Sequence, residues 1–177
     1  MKFAVALVPL VALLACSSPG NPAKADPTVN QQIIDRYSHD IWPAISAYNA
    51  DHSQGGPAAK QFSAVIEPNP GADQFNALRS AAQGLGRQGD YDAQDQTSHY
   101  NDGLKLGTVD VQSVNDGAAA VNACYTYVHS WSVKADNTTH AAAASQTSVQ
   151  LAHVNNNWYL HGITNDHVVP SCGASSS

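Results

Sequence analysis

Charge is what this 177-residue sequence has least of. Asp, Glu, Lys and Arg make up 12 % of it, about half the usual share. Asn, Gln, Ser, Thr and His supply the polarity instead. The 8 Lys and Arg stand singly and are outnumbered by 14 Asp and Glu, for a formal net charge of −6. No basic stripe exists to neutralise a phosphate backbone, so nucleic acid is excluded as a partner. Long apolar runs are absent as well. The N-terminal one, Phe3 to Leu14, has twelve apolar or proline residues, whereas a bilayer-crossing helix takes ~20. The 8 histidines form neither an H-x-H nor an H-E-x-x-H grouping, and zinc requires three or four converging ligands. No metal and no other cofactor is expected. What is present is a 43 % apolar fraction, enough for the core of one domain.

The apolar run ends in Leu13-Leu14-Ala15-Cys16. Its length suits a secretory signal core behind the single positive charge of Lys2. The four residues resemble a bacterial lipobox, with Leu at −3, Ala at −1 and Cys at +1. The resemblance implies a diacylglyceryl thioether on Cys16, cleavage after Ala15 and acylation of the new amine. More than one acyl chain is what stable anchoring needs. The alternative is an ordinary signal peptide cut elsewhere, with Cys16 discarded. On the lipobox reading residues 1–15 are the signal peptide and Cys16 is the membrane tether. Residues 16–28, with "SSPGNPAKADP" at their centre, form a flexible leash. The folded domain spans residues 29–172 and a frayed tail follows at 173–177. The protein is then exported and lipid-anchored on the outer face of the cytoplasmic membrane or in the cell envelope.

Export places the remaining cysteines, Cys124 and Cys172, in a compartment that permits disulfides, and neither has a neighbouring cation to favour a thiolate. A bridge between them would close a loop of about 49 residues, worth roughly 4 kcal/mol in the chain-entropy model.

The domain divides into a helical half and a strand half. Ile33, Tyr37, Ile41, Ile45 and Tyr48 recur at helical spacing, with Pro43 set to kink that helix or end its ideal part before Trp42. A second helix is expected over Ala58 to Ile66, stopped by Glu67-Pro68-Asn69-Pro70-Gly71. A third covers about Ala72 to Gln88, with Phe75, Leu78, Ala82 and Leu85 on one side. Residues 89–103 are polar and read as structureless. Beyond Leu104 the period changes to two. "VDVQSV" alternates, Asp116-Gly117 marks a hairpin, and "AAAVNACYTYVHSW" continues as a strand. "TSVQLAHV" and "WYLHGI" pair around Asn155-Asn156-Asn157, with Val149, Leu151, His153, Trp158 and Leu160 on one face. Helices followed by antiparallel strands make an α+β domain, its N-terminal helices packed on a curved sheet.

This order, with "YSHDIWPAISAYN", "FNALRSAAQGL", "VQSVNDGAAAVNACYTYVHSW" and "VQLAHVNNNWYLHGI…C", resembles a family of exported, often lipid-anchored proteins of mycobacteria and related actinobacteria. Their domain is the cone-shaped nuclear transport factor 2-like (cystatin-like) fold. Asn115-Asp116-Gly117, Val121, Cys124 and Trp131 match the family's first hairpin. Val154 and Trp158 match its second, where Asn155-Asn156 replace Asp-Gly, and Cys172 matches its terminal Cys. These motifs are structural, and many members have no assigned activity. The resemblance implies a cone that Tyr37, Trp42, Trp131, His153 and Trp158 would line.

Enzymes of the same fold, the steroid isomerases, scytalone dehydratase and polyketide cyclases, set Asp, His and Tyr inside the cone as acid–base groups. Asp35 and His39 stand four apart here, with Tyr37, Asp40, His129 and His153 as further candidates. Asp35 lies roughly 200° around the helix from Ile33, so the pair faces away from the apolar stripe. It reads as a surface pair, and no catalytic residue is assigned. The expectation is a lipid-anchored, non-catalytic domain binding an envelope protein or a small apolar ligand. An acid–base enzyme using the cone pocket and a phage- or prophage-encoded superinfection-exclusion lipoprotein are the alternatives. If the lipobox is used, Cys16→Ala moves the protein from the detergent phase to the aqueous phase or blocks its maturation. Metabolic acyl labelling that leaves the wild type unlabelled would refute that reading.

Overall fold

A computed structural model describes residues 27–86, 91–92, 97–133 and 137–173. Cys16, the signal segment and most of the leash lie outside the described residues. The chain is α+β, with four helices leading into an antiparallel meander. Helix α1 (Pro27–Arg36) runs into a π turn (Tyr37–Ile41) and then α2 (Trp42–Ala50); α3 (Pro57–Val65) and α4 (Ala72–Gly84) follow. Strands β1 (Tyr91–Asp92), β2 (Thr97–Asn115), β3 (Ala118–Val133), β4 (Asn137–Val154) and β5 (Asn157–Val169) pair in sequence order.

The π turn is the local answer to Pro43. Proline has no amide to donate back four residues, and its ring crowds the carbonyl there. The Trp42 amide bonds the Tyr37 carbonyl instead, a five-residue step. Such turns accommodate one extra residue without ending the helix. Pro57 opens α3 at a position where a missing amide costs nothing. Helix α4 stops at Gly84, short of the expected Gln88. Its last carbonyls are taken by Asn49 of α2, whose Nδ2 donates to Ala82 O at 2.9 Å and Leu85 O at 3.3 Å. Those groups would otherwise end unpaired in the core.

Alternation along β3 sets the sheet's helix-facing side. Ala119, Val121, Ala123, Tyr125 and Tyr127 are all buried. Strand β2 contributes Leu104, Leu106, Val109, Val111 and Val114, a series whose phase slips twice. The ladder shifts between Leu106/Val109 and Val111/Ser113, and each extra residue returns the next apolar side chain to the core. Strand β5 does the same at His161, which falls between the paired Leu160 and Gly162, so that Trp158, Leu160 and Ile163 all point inward. The β4–β5 turn holds Asn155 and Asn156 at φ 49° and 65°, the left-handed pair a two-residue hairpin demands.

Two expectations are corrected. Residues 89–103 are not structureless where they are described: Tyr91–Asp92 pairs with Thr97–Ser98, and β2 runs unbroken from Thr97. Cross-strand pairing with β3, from Thr97↔Val133 to Asp102↔Val128, overrides their polar composition. Strand β4 also begins ten residues before "TSVQLAHV", at Asn137.

Cys124 occupies the opposite face of β3 and is joined to Cys172, with a Cα–Cα distance of 5.5 Å and 48 residues of separation. The segment after β5 thus folds back across β4 to reach β3. Gly107 on β2 makes room for it. A Cβ on Gly107 would lie 2.9 Å from Cys172 Cβ and 3.2 Å from Cys124 O. Removing the bridge with Cys124→Ser should lower stability by about 4 kcal/mol. Gly107→Ala should cost about 1–3 kcal/mol by overpacking, and it should cost less in the Cys172→Ser background. Denaturant titration of the four variants checks both the sizes and the coupling.

Candidate functional site

The residues expected around one cone fall in three places. Tyr37 and Trp42 are buried between helices and sheet, their rings 6.3 Å apart, with Tyr125 5.2 Å beyond Trp42. This column fills the middle of the helix–sheet space. Burial pushes the Tyr37 phenol well above its ordinary value, and its hydroxyl has no hydrogen-bond partner among the described residues. His153 and Trp158 sit at the hairpin end of the sheet. They are register partners with rings 4.6 Å apart, but His153 is exposed rather than inward. A concavity of about 520 Å³ opens there, bordered by Arg36 and the two hairpin turns. Trp131 is near the far end of β3, stacked 5.4 Å from His129. Strand geometry puts it ~40 Å from the His153 end. One pocket cannot contain all five.

The acid–base candidates are similarly dispersed. Asp35 and His39 are both exposed on the helix's outer side. The imidazole Nδ1 donates to the Asp35 main-chain carbonyl at 2.9 Å, not to its carboxylate, which instead accepts from Gln31. Asp40 pairs with Arg36 at 2.9 Å. His129 donates to Asn101 Oδ1 at 3.0 Å.

A group that sequence reading passed over lies where α4 meets the sheet. Tyr125 donates its hydroxyl to Asp166 Oδ1 at 2.7 Å while accepting from the Gly86 amide at 2.8 Å. Burial, then the adjacent Asp166 carboxylate, push the phenol well above its ordinary value. It is held as a neutral donor, and both its donor and acceptor roles are spent inside the protein. Asp166 carries no helical or alternating signal, which is why only the folded chain reveals it.

Between α2, α3 and α4 lies an open groove of about 460 Å³, within the range of small-ligand clefts. Tyr48 and Phe62 stack at 4.5 Å within it, joined by Phe75 and Ala59. Lys60 and Arg79 also line it. Arg79 Nε donates to Tyr48 Oη at 2.7 Å, and the guanidinium lies 5.8 Å from the Phe75 ring centre. Arg79 follows Phe75 by four residues on α4, a spacing that pairs side chains on one helix face. That was the available sequence signal for this groove.

No protein-family model matches the sequence, and no curated protein shows significant similarity to it. Among solved structures, the intermembrane space region of the chloroplast protein ARC6 superposes with a TM-score of 0.41 at 15 % identity, covering 84 % of this chain and 99 % of that one. A likeness at that level carries no conclusion about activity.

One ionisable cluster ties the helices to the edge of the sheet. His161 Nδ1 donates to Glu67 Oε2 at 2.8 Å, and Gln74 Nε2 donates to Glu67 Oε1 at 2.6 Å. Partial burial pushes the Glu67 carboxyl up, but the bonds from His161 and Gln74 outweigh it and hold the group below its ordinary 4.5. A depressed carboxylate stabilises the fold above its unfolded value and loses that contribution as pH falls through the folded one. Thermal unfolding should therefore show the melting temperature dropping as pH descends below 4.5. Glu67→Gln should lower it at neutral pH and flatten part of that descent. An unchanged acid limb in the variant would contradict the assignment.

Proposed function

We propose that the chain is an exported lipoprotein, tethered through Cys16 to the outer face of the cytoplasmic membrane, whose domain binds a ligand without transforming it. We read the domain itself as a nuclear transport factor 2-like cone. Helices over an antiparallel sheet bent by repeated bulges support that reading, as does the Cys124–Cys172 bridge that the family pattern carries.

The observation that carries the binding reading is the dispersal of the acid–base groups. Asp35 and His39 are solvated, which leaves them little means of tuning a proton transfer. Tyr125 and Asp166 are locked to each other and to the Gly86 amide. The aromatic column occupies the centre where a cone enzyme would hold substrate. Concavity is found at the periphery instead, and the helix groove there has an aromatic floor. A small apolar ligand fits this better than an extended protein surface does. Among the described residues only Val128 and Val168 are large hydrophobics left exposed, whereas a stable protein interface covers about 800 Å² per partner.

A thermal-shift screen of the full chain in detergent micelles, against a panel of small apolar compounds, tests this. At least one class should raise the melting temperature saturably; a ligand at 100 times its Kd adds about 2.7 kcal/mol. The bound compound should be recovered chemically unchanged by mass spectrometry, from wild type and from Asp35→Asn/His39→Ala alike. Recovery of a converted product that depends on Tyr125 or Asp35 would make the domain an enzyme.

A further inference from the structure

We infer that the groove between α3 and α4 binds a long-chain carboxylate, its tail over the aromatic floor and its anionic head between Lys60 and Arg79. This rests on the binding reading above and specifies the ligand class and the place.

The groove is unusual in this molecule for its charge. The whole chain has 8 Lys and Arg against 14 Asp and Glu. Within the described residues the cations are Arg36, Lys60, Arg79 and Lys105. Two of these four line one groove, and no Asp or Glu lines it. Arg36, by contrast, is matched by Asp40 at 2.9 Å.

Arg79 is also preset. Its Nε is committed to Tyr48 Oη, and Gln83 Nε2 reaches the same hydroxyl at 3.2 Å. That fixes the plane of the guanidinium. Its two terminal nitrogens have no partner among the described residues, and they form the parallel fork that a carboxylate accepts with both oxygens. The first turn of α3 contains Lys60 and no acidic residue, and the cap residue Gly56 supplies no side-chain acceptor. The positive end of that helix is left uncompensated beside the same groove.

The floor explains the tail. Tyr48 and Phe62 lie parallel, 8° between planes, and Phe75 adds a third ring. Tyr48 and Phe62 are buried beneath the groove, so the apolar surface it offers is the half-buried Phe75 ring with Ala59, which a purely polar anion would leave in contact with water. A purely apolar compound would leave both cations unused and would desolvate them without return. An amphiphile with one carboxylate satisfies both halves.

The test is photoaffinity labelling of the full chain in nanodiscs with a diazirine-bearing hexadecanoate, followed by peptide mapping. Adducts should concentrate on segments 54–63 and 75–79. Unlabelled palmitate should compete, while methyl palmitate and hexadecylamine should not. Lys60 is exposed on α3, and a carboxylate is favoured in the first turn of a helix, so Lys60→Glu should fold with a melting temperature no lower than wild type. It should weaken labelling roughly tenfold or more, the loss of one charge-assisted contact. Arg79→Lys keeps the charge but not the fork, and should weaken it as well.

Competition by methyl palmitate equal to that by palmitate would overturn recognition of the head. Saturable adducts at the concavity around His153 and Trp158, or displacement by phospholipid alone, would overturn this groove while leaving a binding domain intact. No saturable adduct anywhere would overturn the inference outright. Conversion of the probe to a new product would instead refute the non-catalytic reading.

Discussion

Pro43 cannot donate a backbone hydrogen bond, and the placement of the helical layer follows from how the chain accommodates that. From Ile33 to Tyr48 the buried stripe spans fifteen residues in four turns, where an α-helix would take ~14.4. In an unbroken α-helix the stripe would rotate by about 60° over that length. The π turn over Tyr37–Ile41 absorbs the surplus, and Ile33, Tyr37, Ile41, Ile45 and Tyr48 all reach 0 to 1 % exposure. Tyr37 and Trp42 are thereby delivered to the Tyr125 ring, while Ser46 donates to the Leu104 carbonyl of β2 at 3.1 Å. The same rotation leaves Tyr48 facing α3 and α4, where it stacks on Phe62.

The sheet solves a related problem by different means. Strands of 13 to 19 residues are two to three times the usual length, and a flat sheet of that span could not follow a short helical layer. Bulges in β2 and β5 bend it and reset which side chains face inward. Polar groups then act as fasteners. Asn49 closes α4, Tyr125 and Asp166 hold the chain after α4 to the sheet, and Glu67 with Gln74 and His161 pins the α3–α4 connection. Each ties a helix or its flanking chain to a distant element. Arg79 ties α4 to Tyr48 through Nε and leaves its terminal nitrogens unspent.

Much of this was legible before folding, and the exceptions have physical causes. The 3.6-period stripe gave the helices, and Asp116-Gly117 and the Asn run gave the hairpins, because these are local signals. The α+β order followed from them. Where the chain depends on distant partners, the pattern was silent. Asp102 and its polar neighbours form a strand because β3 is there to pair with. "VDVQSV" alternates, but Val114 rather than Ser113 faces inward, since a bulge leaves no mark in composition. His153 shares a face with Trp158 and is nevertheless exposed, because register fixes a side chain's face and not its cover. Asp166 and Arg79 gain their importance from contacts with Tyr125 and Tyr48, 41 and 31 residues away.

The crosslink from β3 to the segment after β5 has a mechanical side. It encloses β4 and β5 in a covalent ring of 48 residues' span. Tension applied to the two ends of the chain would pass through the cystine and bypass those strands. About 160 Å of extended contour length, at ~3.4 Å per residue, would be withheld until the bridge was reduced. Of the described elements, the force-bearing path would run through the helices, β1, β2 and the start of β3, so a stretched molecule would yield first on the side that carries the Lys60–Arg79 groove.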